Sequence, residues 1–460
     1  MSLIKSISGI RGTIGGKPGD GLTPVDIVKF ASAYGIWLGR KNPGKPLRVI
    51  IGRDARRSGP MVNNLVVNTL RSLGINVTDT GLASTPTVEL AVTGTGSHGG
   101  IIITASHNPA EWNALKLLNG KGEFLSAADG SEVLKIADSE DFAFAGVDDF
   151  GSFIHDDSWS QIHLDQVLGL ELTRSDLIRK ADFTIAIDCV NSVGGIIVPG
   201  LLKGLGVNKI VEINTDPDGH FSHNPEPLPQ NLTEISSLVR KKKADLGFVV
   251  DPDVDRLAII CEDGSMFGEE YTLVAVSDYV LKHKSGNTVS NLSSTRALKD
   301  VTERYGGRYF TAAVGEVNVV EEMKRRNAVI GGEGNGGVIY PKLHYGRDAL
   351  VGIALFLSHL ALSGMKCSEL RKTYPDYFMA KKKMTLQEGS DFKRILDIVR
   401  QEFKDYEIDE RDGMRIEQKD GWVQVRKSNT EPIIRIYAES RTPEEADDLA
   451  DRVIGIVKKA

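Results

Sequence analysis

Short apolar runs closed by a glycine or a polar cluster recur along this chain, and their order repeats. Leu47-Arg48-Val49-Ile50-Ile51-Gly52 reads as a buried strand, residues 61–73 as a helix stopped by Gly74, and Ile75-Asn76-Val77-Thr78 as a second strand. The same order returns at 183–187, a helix near 193–205, Gly206, and 209–213. A fainter third copy runs through 288–290, 296–305, Gly306-Gly307 and 308–310. Continuous apolar runs, rather than strict alternation, predict buried parallel or mixed sheets flanked by helices. The last part differs. Lys381-Lys382-Lys383, helices over 391–403 and 443–458, and alternating strands near Trp422 and Ile433 predict a smaller α+β domain. Linkers are expected at 148–157 and 374–377, which gives domains 1–150, 151–258, 259–373 and 374–460.

A chain of 460 residues exceeds one hydrophobic core, in keeping with several domains. The net charge of −6 argues against nucleic acid or an anionic membrane as the main partner, yet leaves room for a local cationic pocket. Residues 349–362 are the most apolar stretch, but too short for a span and interrupted by Ser358 and His359, so a buried helix is expected. Cys189, Cys261 and Cys367 are far apart and form no paired framework. With no apolar signal core at the start, the expectation is a cytoplasmic protein.

Four loops beyond predicted strand ends carry candidate chemistry. In Thr104-Ala105-Ser106-His107-Asn108-Pro109, Ser106 is a candidate nucleophile or phosphate carrier beside His107, although Ser, Asn and Pro also make ordinary turns. Asp251-Pro252-Asp253-Val254-Asp255-Arg256 sets three carboxylates at alternate positions between two apolar strands. Their repulsion calls for a cation, and hard oxygen donors suit magnesium; a solvated acidic turn is the alternative. An EF-hand is excluded, because Arg256 stands where that loop needs glycine. In Gly331-Gly332-Glu333-Gly334-Asn335-Gly336-Gly337, glycines allow close approach of a ligand while Glu333 and Asn335 can bond sugar hydroxyls; a flexible hairpin is the alternative. Arg426-Lys427-Ser428-Asn429-Thr430-Glu431-Pro432, followed by Arg435, suits a phosphate, or else forms a polar hairpin with solvated arginines.

The order of these loops, with Gly9-Ile10-Arg11-Gly12 and Gly52-Arg53-Asp54-Ala55-Arg56, closely resembles the α-D-phosphohexomutases over nearly the whole chain. The resemblance implies three related α/β domains with mixed sheets plus a C-terminal α+β domain, arranged around a central cleft. It implies that Ser106 is a phosphoserine and that Asp251, Asp253 and Asp255 hold magnesium together with its phosphate. Arg11, His107, Lys116 and Arg256 become catalytic candidates, with Lys116 as acid/base. Glu333 and Asn335 would recognise the sugar, and Arg426, Ser428, Asn429, Thr430 and Arg435 the non-reacting phosphate. The implied substrate is a hexose or hexosamine monophosphate, interconverted between 6- and 1-phosphate forms through a bisphosphate that also serves as activator. The expected assembly is a monomer or homodimer.

The sugar is harder to read. Asn429 stands where phosphoglucosamine mutases usually carry glycine, and looks more like the phosphomannomutase/phosphoglucomutase pattern. Ala313-Val314-Gly315-Glu316-Val317 resembles a phosphoglucosamine mutase segment, and the balance leans to glucosamine phosphate with tolerance of glucose and mannose phosphates. Two other classes remain. Asp251-Pro252-Asp253 superficially resembles the Asp-x-Asp of haloacid-dehalogenase-type phosphatases, which leaves the other three loops unexplained. A non-catalytic sugar-phosphate binder is the third.

Overall fold

The computed structural model describes residues 2–6, 9–385, 391–427 and 433–458. Within them, one four-strand arrangement is used three times. A first strand lies between the parallel strand that returns after its helix and a third parallel strand, and an antiparallel fourth strand covers the third. In the first sheet these are Arg48–Arg53, Asn76–Leu82, Gly99–Ile103 and Trp112–Asn119. In the second they are Thr184–Asp188, Lys209–Ile213, Leu246–Val250 and Leu257–Cys261. In the third they are Asn287–Asn291, Tyr309–Ala312, Ala328–Glu333 and Gly337–Ile339. The fourth strand of the second sheet carries that unit past residue 258.

The apolar runs behave as their composition dictates. Val49, Ile50 and Ile51 are buried, and the helix Gly59–Ser72 turns Val62, Val66 and Leu70 onto that strand's sheet, at the spacing of one helical face. Gly74, at φ 76°, then turns the chain back. Because the arrangement recurs, the connection from third to fourth strand falls each time at the carboxyl end of a parallel strand, where ligand sites collect. These connections are residues 104–111, 251–256 and 334–336. The last is shorter than the glycine run suggests, because Gly331, Gly332 and Glu333 extend a strand and Gly337 begins the next.

The first sheet grows to seven strands by adding Leu3–Ser6 and Gly9–Thr13 on one side and Phe153–His155 on the other. The last strand lies inside the stretch expected to be a linker: it pairs in parallel with Val77 to Asp79, whose edge would otherwise be open. The fourth unit is an antiparallel sheet ordered Phe378–Thr385, Ile433–Ser440, Trp422–Lys427, Met414–Glu417, Glu407–Asp409. Helices Phe392–Glu402 and Pro443–Val457 supply Ile395, Val399, Ala446, Ala450 and Val453 to its core.

The second and third units share one apolar core. Its axis is the helix Ala349–Ser363, buried over residues 349–360, so the apolar stretch is an interior helix. Among the described residues no helix is long and apolar enough to cross a membrane. Phe356 meets Phe248 and Phe267 edge-on, at 6.2 and 5.1 Å between ring centres. A polar joint ties in the first unit. Asp348 caps that helix through Leu350 N–H and also pairs with His163 at 2.9 Å and His344 at 3.2 Å. His344 faces Glu89 at 3.2 Å, and His163 bonds Thr87, both on the first unit's helix Thr85–Thr95.

Truncation at this seam should unfold both units together. Phe356→Ala is expected to cost about 3–5 kcal/mol. Hydrogen exchange read by mass spectrometry across a denaturant series should show the second and third units moving to lower denaturant as a single transition.

Candidate active site

Ser106 sits at the end of the buried strand Gly99–Ile103, 6% exposed and in the left-handed region at φ 50°. A serine there stores on the order of 1 kcal/mol of strain, which the surrounding contacts must hold. Its N–H donates to Thr104 Oγ1 at 2.9 Å, and that hydroxyl donates to Asp54 at 2.6 Å. The outcome is a directed hydroxyl. Ser106 Oγ donates to Asp251 Oδ2 at 2.7 Å, in the second unit, and lies 3.3 Å from His107 Nδ1. Burial, with Arg256 and Arg11 nearby, pushes the His107 imidazole well below its ordinary range, so it stays neutral at physiological pH.

The aspartate loop supplies the strongest field. Asp251, Asp253 and Asp255 are fully buried, with one oxygen from each within 4.8 Å of the others. Val254, between the last two, is also left-handed at φ 60°, an unusual setting for a β-branched residue. This strained turn aims neighbouring carboxylates at one point. Asp251 Oδ1 accepts the N–H groups of Asp255 and Arg256, each at 3.1 Å. Asp253 Oδ2 accepts from Thr85 Oγ1 at 2.5 Å and Lys116 Nζ at 2.6 Å, both in the first unit. Asp255 Oδ2 meets Arg347 of the third unit at 2.6 Å.

These contacts divide the carboxylates electrostatically. Burial, then the neighbouring Asp255 and Asp253, drives the Asp251 carboxyl well above its usual range. Burial pushes Asp253 the same way, but Lys116 and the Thr85 hydroxyl outweigh it and hold Asp253 below the ordinary value. Lys116 gains in turn: burial disfavours its charge, and Asp253 and Asp255 more than restore it. Asp253 Oδ1 and Asp255 Oδ1 are buried with no hydrogen-bond partner among the described residues. Hard, converging, partnerless carboxylate oxygens fit a divalent cation.

Glu333 is placed by the third unit. Its Oε1 accepts from Asn291 Nδ2 at 2.8 Å and Gly315 N–H at 3.2 Å, and its Oε2 from Arg347 at 2.9 Å. Burial opposes its charge, but Arg347 and Asn291 keep it below its usual range. Asn335 Oδ1 accepts Gly337 N–H at 3.2 Å and so shapes its own turn. Arg256 Nε lies 3.8 Å from Asp255, and Arg11, on the strand Gly9–Thr13, is near enough to Arg256 for burial and that charge to lower its pKa. Arg426 and Arg435 face each other across the last described rungs of a hairpin, and Arg426 reaches Asp412 at 3.5 Å. Ser428, Asn429 and Thr430 lie outside the described residues.

The structure thus brings Ser106, His107, Lys116, Arg256 and the three aspartates into one cluster, and joins Glu333 to it through Arg347. Three members escaped the sequence reading. Thr85, which begins the helix Thr85–Thr95, was not singled out, while Glu316 was noted only within a segment bearing on sugar choice. Arg347, buried between Asp255, Glu316 and Glu333, had one available signal. It is a charged residue next to Asp348, immediately before an otherwise apolar helix.

Comparison with known proteins accords with this geometry. Family models for phosphoglucomutase/phosphomannomutase match in four consecutive parts. Alpha/beta/alpha domains I, II and III match residues 3–144, 162–264 and 268–377, and the C-terminal domain matches 381–456. A phosphoglucomutase/phosphomannomutase of Thermococcus kodakarensis is 36% identical over 98% of both chains. A probable phosphoglucosamine mutase of Methanopyrus kandleri is 32% identical over 98% of this chain and 97% of its own. The crystal structure of a phosphoglucomutase/phosphomannomutase family protein from Burkholderia thailandensis superposes with a TM-score of 0.84 at 25% identity, covering 99% of this chain and 97% of that one. With a buried serine aimed at a cage of three aspartates, and with all four family domains matched in order, the chain belongs to the phosphoglucomutase/phosphomannomutase family of phosphosugar mutases.

Proposed function

We propose that this enzyme interconverts the 6- and 1-phosphates of a hexosamine, with glucosamine phosphate preferred, through phosphorylated Ser106. The observation that carries the reading is the 2.7 Å hydrogen bond from Ser106 Oγ to Asp251, which sets the reacting oxygen against the acidic cage. Asp251, Asp253 and Asp255, with the Ser106 phosphate, would hold magnesium, which when bound neutralises charge on the phosphoryl group.

In the first half-reaction a sugar hydroxyl oxygen bonds to the phosphorus of phosphoserine while the bond from phosphorus to Ser106 Oγ breaks. The hydroxyl gives up one proton and Ser106 Oγ takes one, so the bisphosphate leaves a neutral serine. Lys116, kept charged by Asp253 and Asp255, donates the proton to Ser106 Oγ, and the amine so formed takes up the proton that the sugar hydroxyl gives up, so Lys116 ends the step charged again. His107 Nδ1, 3.3 Å from Oγ, orients the hydroxyl, and Arg256 and Arg11 stabilise the transferred charge. After the bisphosphate turns over, the same bonds form and break in reverse with its other phosphate. An added sugar bisphosphate acts as activator by phosphorylating free Ser106. Arg426, Arg435 and the intervening Ser428, Asn429 and Thr430 hold whichever phosphate is not reacting.

The preference for an amine is supported by residues 313–317, which resemble the corresponding segment of phosphoglucosamine mutases. Glu316 and Glu333 share the guanidinium of Arg347 with Asp255, which fixes Glu333 in place beside the acidic cage. Glu333 and Asn335 then serve the sugar's hydroxyls. Glucose and mannose phosphates are the second reading, supported by the name of the Thermococcus relative and by Asn429. Cytoplasmic location and a monomeric or dimeric state complete the proposal.

Three measurements test it. Ser106→Ala should lower mutase turnover about 10³-fold or more; full activity with release of inorganic phosphate would instead favour an aspartyl-phosphate enzyme built on Asp251. Coupled assays on the 6-phosphates of glucosamine, glucose and mannose should give glucosamine a kcat/KM at least about tenfold higher. Equal values would remove the amine preference. Chelation by EDTA should abolish turnover and added magnesium restore it; activity that survives exhaustive chelation would exclude the metal.

A further inference from the structure

Resting on the reading of Ser106 as the phosphate carrier, we infer that Arg56 is a positioning residue that holds the Ser106 loop in its reactive shape. Arg56 is 1% exposed, and each of its N–H bonds is used. Nε donates to Asp54 Oδ2 at 3.0 Å. One terminal nitrogen donates to the carbonyls of Pro109 and Trp112 at 2.6 and 3.0 Å. The other donates to those of Ser106 and Asn108 at 2.5 and 2.6 Å. A guanidinium offers five donors in a rigid fork, and here all five are spent on one carboxylate, three carbonyls of the serine loop and that of Trp112, where the next strand begins.

The arrangement closes on itself. Asp54, held by Arg56, accepts the Thr104 hydroxyl, which in turn accepts Ser106 N–H. The loop is therefore fixed from both sides of Ser106, at its amide through Thr104 and at its carbonyl through Arg56. Such bracing is what a serine at φ 50° requires if its Oγ is to face Asp251 in every molecule.

The second unit sets the other face of this brace. Phe221 lies over the Arg56 guanidinium at 5.0 Å. Gly219, at φ 73°, lets that segment approach so closely that a Cβ there would stand 2.0 Å from Ala55 O. Ala55 N–H donates to Ser192 Oγ at 3.3 Å, and Ser192 donates to the carbonyl of Pro252 in the aspartate loop at 2.7 Å. Arg56 thus lies at the seam that registers the serine loop against the metal loop, while its donors reach neither the sugar loop nor the hairpin of Arg426.

That placement predicts a split between binding and chemistry. Arg56→Lys keeps the charge but offers three donors without the planar fork, so the loop loses its shape. In the full-length enzyme, assayed with glucosamine 6-phosphate, magnesium and bisphosphate activator, kcat should fall about 100-fold while KM changes less than about threefold. Circular dichroism and thermal unfolding establish the folded fraction, to which kcat is normalised. Unchanged kcat, or an equal change in kcat and KM, overturns the inference. Should Arg56→Lys fail to fold, Phe221→Leu replaces it. This substitution keeps apolar bulk but removes the aromatic face; kcat should drop about threefold at constant KM, and an unchanged kcat overturns the inference. Ser106→Ala in parallel separates the two claims. An inactive Ser106→Ala beside a fully active Arg56→Lys removes only the role of Arg56, whereas an active Ser106→Ala removes the phosphoserine reading itself.

Discussion

Confining three carboxylates within 4.8 Å of one another, away from solvent, is the constraint from which the rest of the site follows. Like charges at that spacing in a medium of low polarity repel by several kcal/mol. No single unit neutralises them. The first contributes Lys116, Thr85 and Ser106, and the third contributes Arg347. Charge balance therefore draws three sheets to one point, and the glycine-rich loop arrives with them through the shared Arg347.

The architecture makes that convergence economical. Each sheet presents its third-to-fourth strand turn at the same end, so one folding pattern yields a serine loop, an acid loop and a glycine-rich loop. This much could be seen in the order of residues, since apolar runs and breaking glycines recur in the same sequence of elements, faintly in the third copy. The Ala349–Ser363 helix was legible too, because its length and apolar character leave only an interior place for it. Strand ends were less so. Gly331 and Gly332 look like loop residues yet continue a strand, because neighbouring atoms leave no room for a side chain: a Cβ at Gly332 would stand 2.0 Å from Gly337 O and one at Gly331 2.6 Å from Val289 O. Phe153–His155 is three residues long and was hidden in a presumed linker, its pairing decided by an available edge rather than by its own sequence.

The residues that escaped are those whose partners are remote. Arg347 gains its meaning from Asp255, 92 positions away, and Thr85 from Asp253, 168 positions away. His163, His344 and Asp348 form a joint between units although each is unremarkable in its own neighbourhood. Periodicity reports what a residue does within its helix or strand. It carries no information about a bond across a domain boundary, and buried polar contacts of this kind become visible only when the sheets are set against each other.

The common interior of the second and third units has an evolutionary corollary. The acid loop and the glycine-rich loop meet at the amino end of the same packed helix, where Leu257 N–H donates to Gly336 O at 3.1 Å and Ala349 N–H to Val254 O at 3.2 Å, so a substitution beneath one is transmitted to the other. On the proposed roles of the two loops, ion affinity and discrimination among sugars are not free to drift independently in such a lineage; a change in one is inherited with an adjustment in the other.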